Sequence, residues 1–153
     1  MFIEPHFVGI SPTQLTQRTG GPQQQGFINN YKVICFCVKI NVHPGVNSIQ
    51  TNFHNIPVNL FSKSINELLQ NDVIEIPDFK DEKIPTFGLK YVAEENGCKS
   101  GYLFAIKTID GRFIGTLGLD YTKRKTNLDM ESINHLQVHA SSLGGVLMTH
   151  LNQ

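Results

Sequence analysis

Cys35 and Cys37 stand two residues apart in the run YKVICFCVKINV. On an extended chain that spacing puts both thiols on one face. Their Cα separation there sits near or beyond the ~6.8 Å limit for a disulfide, which argues against a bond between them. A metal site needs further ligands from His43, His54 or Cys98, and nothing in the spacing makes these converge as a paired CxxC set does. The three cysteines therefore read as small packing residues of a chain kept under reducing conditions. His135 and His139 lie one helical turn apart, with His150 three turns beyond. Such a pair can hold zinc, but Leu-Gln-Val between them offers no adjacent glutamate to act as a base. Serines occur without a G-x-S-x-G elbow, and Gly111, Gly115 and Gly118 fit no phosphate-binding fingerprint. Lys123-Arg124-Lys125 reads as a solvated basic turn. No catalytic residue, metal site or cofactor is assigned.

A chain of 153 residues fits one domain with a real core. Thirteen basic and 13 acidic residues cancel, so no broad attraction to nucleic acid or to an anionic membrane is expected. The start Met-Phe-Ile-Glu-Pro lacks a basic, apolar leader, and no window approaches the ~18 apolar residues of a membrane span. A cytoplasmic protein is expected, with a virion or other large assembly as the alternative setting.

The elements that must position any site follow from periodicity. Residues 1–30 combine a short apolar start with PTQLTQRTGGPQQQG, show neither helical nor strand period, and read as an extended arm or linker. Phe2, Ile3 and Phe7 would anchor that arm on a neighbour. The domain proper runs over 31–153. Ile34, Phe36, Val38, Ile40 and Val42 share one face of a strand that is apolar on both sides, which predicts a central position in a sheet. IQTNFHNI (49–56) is a second strand, closed by Pro57. Ser64 and Glu67 have capping-box spacing for a short helix ending near Asn71. VIEIPDF (73–79) is extended, and 80–100 is charged and irregular around a helix-like stretch at 89–93. GYLFAIKTIDGRFIGTLGLDY reads as a hairpin turning at Asp110-Gly111 through a type I′ turn. Thr126 and Asp129 then cap a helix from about 128 to 150, whose apolar stripe includes Ile133, Leu136, Ala140, Leu143 and Leu147.

The segment IDGRFIGTLGLDYTKRKTNLDMESINHLQVHASSLGGVL resembles the closing part of GAF domains. The shared parts are a strand–turn–strand with the step Ile114-Gly115-Thr116-Leu117, a basic turn at Lys123-Arg124-Lys125, and a capped helix carrying Ala140-Ser141-Ser142. The resemblance spans about 101–151, extends more loosely over 31–79, and lacks the opening helix before the first strand. It implies an α+β (α/β) fold: a central antiparallel sheet with a long C-terminal helix on one face and an extended N-terminal arm. It also implies a non-catalytic binding or interaction module with a small-molecule pocket roofed by residues 58–100. Phe53, Phe79, Phe87 and Tyr91 are candidates to line that pocket. An Asn-Lys-Phe-Asp-Glu motif of some cyclic-nucleotide-binding members is absent, and no motif assigns a cysteine for bilin attachment. The small ridge Ala140, Gly144, Gly145 and Met148 predicts close approach of another backbone, either this domain's own sheet or a second subunit in a homo-oligomer or larger protein assembly. The competing functions are a structural assembly protein using the arm and the last helix, and a thiol-based enzyme resembling methionine sulfoxide reductases.

Overall fold

A computed structural model of the protein describes residues 4–10, 32–36, 54–123, 125 and 127–151, with side chains described over 60–149 of that set. The elements are β1 (Glu4–Ile10), β2 (Lys32–Phe36), β3 (His54–Pro57), a 3-10 turn (Val58–Phe61), α1 (Ser62–Asn71), β4 (Val73–Ile76), α2 (Lys90–Glu95), β5 (Ser100–Lys107), β6 (Phe113–Tyr121) and α3 (Met130–Leu151). The six strands form one sheet in the order β3-β2-β1-β6-β5-β4. Every neighbouring pair is antiparallel.

Side chains of β5 and β6 alternate between two covered faces, because successive residues on a strand point to opposite sides. Tyr102, Phe104 and Ile106 of β5, with Ile114, Leu119 and Tyr121 of β6, form one core with Ile133 and Ala140 of α3. Leu128, Leu136 and Leu147 pack against it, so the helix stripe read from the sequence faces the sheet except at Leu143, which is exposed. The opposite face gathers Leu68 of α1, Ile74 and Ile76 of β4, Ala105 of β5, and Phe79, Ala93 and Cys98 of the intervening segment. One irregularity adjusts the second face. Ile106 pairs with Gly115 and Lys107 with Phe113, which leaves Ile114 as an extra residue. This bulge sends Ile114 to the α3 core and Phe113 to the other side.

Local chemistry fixes the connections. Asp72 ends α1 in a left-handed conformation, φ 61°, with its amide bonded to the Leu68 carbonyl at 3.1 Å. Lys107 donates to the Leu69 carbonyl at 3.3 Å and pairs with Asp72, so a cation sits at the helix C-terminus where the dipole favours it. Tyr102 donates its hydroxyl to Glu75 at 3.1 Å and accepts the Leu128 amide at 2.8 Å, tying β4, β5 and the entry to α3 together. Burial pushes the Tyr102 hydroxyl up to about 12, and the Leu128 amide only partly opposes that. Among the described residues, Tyr121 Oη is the buried side-chain polar atom without a hydrogen-bond partner.

Several expectations need correction. Residues 4–10 are not part of an arm. They form β1, paired with β2 on one side and β6 on the other, with Phe7 opposite both Phe36 and Leu117. Phe7 is therefore in a central strand and not at the tip of a free segment. Phe2, Ile3 and residues 11–31 lie outside the described set. Within the run 31–42 the described residues, 32–36, form β2, which stands one strand in from β3 at the edge, because β1 takes the central place. Ser64 does not cap α1. The helix begins at Ser62, directly after the 3-10 turn, and the Ser64 hydroxyl donates to the Phe61 carbonyl at 2.9 Å. At α3 the cap is Asp129 itself, which accepts the Ser132 amide at 2.7 Å. The hairpin turn is not type I′. Gly111 has φ +83° while Asp110 keeps a negative φ, giving a three-residue loop closed by Thr108–Arg112 and Gly111–Thr108 bonds of 2.9 Å each. Ala140 and Gly144 are used inside the domain. Ala140 is fully buried in the α3 core, and a Cβ on Gly144 would fall on the Lys107 carbonyl oxygen. Neither is available to a second subunit. Gly145 faces open space, and Met148 is half-buried.

Candidate functional site

Opposite α3, the packing is incomplete. A cavity of about 70 Å³ lies between the sheet and the segment 61–98. Its floor is the alternate face of three strands: Ile74 and Ile76 from β4, Gly101 and Leu103 from β5, Phe113, Thr116 and Asp120 from β6. Phe61, Ser64 and Ile65 at the start of α1 form one wall. Phe79, Leu89, Val92, Ala93 and Cys98 form the other. The volume is several times the ~10–15 Å³ that one water requires.

The wall owes its shape to loop wiring. Phe79 is held by a 3.0 Å bond from its amide to the Lys99 carbonyl. Asp78 accepts the Lys80 amide and Asp81 the Lys83 amide, each at 2.9 Å, so these carboxylates build turns. Asp78 also pairs with Lys125, whose ammonium holds its carboxyl below the usual range. α2 presents Leu89, Val92 and Ala93 inward, and the Cys98 amide returns to the Ala93 carbonyl at 2.8 Å. Phe87, with φ 50°, and Gly88, with φ 83°, make the bend that lets α2 approach.

The lining is strongly apolar. Its polar residues among those described are Ser64, whose hydroxyl bonds to Phe61, with Thr116, Asp120, Cys98 and Tyr102, whose hydroxyl is engaged by Glu75 and the Leu128 amide. Among the described residues, no lysine, arginine or histidine lines it. Gly101 is the close-approach point: a Cβ there would lie 3.1 Å from Asp120 Oδ1 and 3.3 Å from the Phe79 ring. Such a site can enclose a small apolar molecule and orient it by a few hydrogen bonds.

Of the four aromatics expected to line a pocket, Phe79 does so. Phe87 packs against the same cluster without reaching the lining. Tyr91 points outward, 68% exposed, and donates its hydroxyl to Glu95 at 2.5 Å. Phe53 lies outside the described residues. Sequence reasoning missed Thr116 and Asp120. Their signal is the period-two pattern of FIGTLGLDY, where Thr116, Gly118 and Asp120 share a face that is small or polar in an otherwise apolar strand. Cys98 stands in the cavity wall; the Cys35 side chain and all of Cys37 lie outside the described set. His135 and His139 are exposed on α3. Among the described residues, no group of three or more His, Cys, Asp or Glu side chains converges on a metal position. No helix described is long and apolar enough to cross a membrane.

No family model and no curated protein matches the chain. Solved structures do. A far-red cyanobacteriochrome photoreceptor is 12% identical, with a TM-score of 0.63 over 99% of this chain and 79% of its own. A far-red-absorbing dark state with bound biliverdin IXa is 13% identical, with a TM-score of 0.65 over 99% and 82%. The blue-light-absorbing PixJ GAF domain of Thermosynechococcus elongatus is 12% identical, with a TM-score of 0.62 over 96% and 75%. At these identities the likeness is one of fold, and the fold of this chain is GAF-like.

Proposed function

We propose that this chain is a non-catalytic sensory or regulatory module that binds a small molecule in the cavity between the sheet and the α1–α2 side. The observation that carries the reading is asymmetric packing: one face of β5 and β6 is filled by α3, while the other keeps a defined apolar hollow. A GAF-like fold whose solved neighbours include a far-red-absorbing dark state with bound biliverdin IXa supports it. Native mass spectrometry and thermal melting of the purified chain test the reading. A retained small molecule, or a ligand-dependent rise in melting temperature that Ala93→Leu abolishes, is the expected result. Melting that no compound shifts, with Ala93→Leu behaving as wild type, contradicts it.

A second reading rests on the outer face of α3. Val138, Leu143 and Val146 are exposed there, which favours a helix-mediated contact with another protein or a second copy. Light scattering tests it: a larger species reduced to monomer by Val138→Asp supports the contact, and a monomeric wild type opposes it. The assembly alternative loses part of its N-terminal basis, because residues 4–10 belong to the sheet.

A further inference from the structure

We infer that the cavity orients its ligand through the Thr116 hydroxyl, and that the ligand is a compact apolar molecule carrying one hydrogen-bond acceptor, such as the carbonyl of a small ketone. This rests on the cavity being the ligand site. Thr116 lines the hollow and is only 8% exposed. It stands mid-strand in β6, opposite Val8 of β1 and Ala105 of β5, so the sheet fixes its place from both sides. Among the described residues, its hydroxyl bonds to no protein group. The other polar side chains described in the wall are engaged. Ser64 donates to the Phe61 carbonyl at 2.9 Å and Tyr102 to Glu75 at 3.1 Å, while Cys98 and Asp120 have interactions of their own. Tyr121 Oη also lacks a partner, but it is sealed in the α3 core away from the hollow.

An unmade donor in an apolar wall is costly. Valine has nearly the same shape without the polar atom, so packing alone does not call for a hydroxyl here. A water is a poor remedy, because it needs about two to four polar partners. Asp120 lies four residues along the strand, about 13 Å away at ~3.3 Å per residue. A hydroxyl offers one proton, so the ligand atom it seeks is an acceptor. The rest of the wall, with Leu103, Phe113 and Ala93, suits an apolar body. The hollow of about 70 Å³ is roughly half of the ~150 Å³ apolar cavity that holds benzene, which points to a body of about four non-hydrogen atoms.

Acetone and isobutene test this, because they share one shape and differ by a carbonyl oxygen against a methylene carbon. Each is titrated into the wild-type chain, Thr116→Val and Thr116→Ser, and followed by methyl NMR at Ile74, Ile76 and Leu103. Thr116→Val is expected to weaken acetone about tenfold and to leave isobutene within about threefold of wild type. Thr116→Ser keeps the hydroxyl and is expected to hold acetone within about threefold. An equal effect of Thr116→Val on both probes overturns the role of the hydroxyl and leaves the cavity as a binding site. Failure of both probes to shift Ile74, Ile76 or Leu103 overturns both. Binding that survives Ala93→Leu places the probes elsewhere and overturns both as well.

Discussion

The two faces of β5 and β6 are built from one pair of strands, yet they are finished differently. Toward α3, packing is close enough that Gly144 lies against the Lys107 backbone and Ala140 is fully enclosed. Toward α1 and α2 a hollow remains beside Ala93, although Gly101 on that face lies close against Asp120 and Phe79. Alanine therefore acts in opposite senses. On one face Ala140 lets a helix approach; on the other Ala93 borders a free volume. The difference teaches that the α3 face is the structural face, and that the α1–α2 face sacrifices packing for room.

The largest break in this comparison comes from matched isoleucine truncations. Ile106 is 0% exposed on the α3 face and Ile74 is 2% exposed on the hollow face. Ile106→Ala is expected to cost about 4 kcal/mol and Ile74→Ala about 2, because a side chain beside a void has fewer contacts to lose. Chemical denaturation of the two variants measures the gap. Gly144→Val comes next, at about 3 kcal/mol, because α3 must lift from the sheet to admit any side chain there. A matched enlargement then separates the faces by sign. Ala140→Leu is expected to destabilise by about 1–3 kcal/mol through overpacking. Ala93→Leu is expected to stabilise by about 1 kcal/mol through cavity filling. Smaller still is Gly145→Ala, expected to stabilise by about 0.5–1 kcal/mol, since a Cβ at that position meets nothing within 4 Å.

Acidity gives a further distinction. Asp78, Asp110 and Asp129 are held below the ordinary aspartate value of 3.8, chiefly by bonds from Lys125, the Thr108 hydroxyl and the Ser132 amide respectively. A depressed folded-state value means the stabilisation is full above about pH 4 and is lost as pH falls further. Tyr102 is the opposite case. Raised from 10.0 to about 12, it favours the fold below pH 10 and loses that contribution as pH rises toward 12. Acid titration is therefore expected to loosen the turn and cap aspartates at the periphery, and alkaline titration the α3 core. Burial raises Tyr121 of the same core as well, so circular dichroism at both limits, with Tyr102→Phe reducing the alkaline component, checks the assignment.

Much of the α3 face was legible in the sequence, because two strong periods meet there. The β5–β6 hairpin and the α3 stripe each carry their own local signal, and both are where the spacing places them. β1 was not legible. EPHFVGI contains Pro5 and Gly9, residues depleted from strands, and its partners in β6 lie more than 100 residues away in the chain. Non-local pairing with β2 and β6 places it, and no window of sequence shows that. α2 is six residues long, and its local pattern is too short to set its ends. In the site, Phe79 was visible as the close of an apolar run. Tyr91 was misleading, since an aromatic on a short helix has no marker for which side faces the sheet. Asp120 and Thr116 were hidden inside a strand that reads as core, where one polar face of a mostly apolar run is easily passed over.

Xenon binding followed by methyl NMR tests the contrast most directly, since xenon enters dry apolar cavities of suitable size. The account predicts saturable shifts at Ile74, Ile76 and Leu103, with Ile106, Ile133 and Leu147 unmoved. Shifts confined to the α3 face, or none on either face, would contradict it.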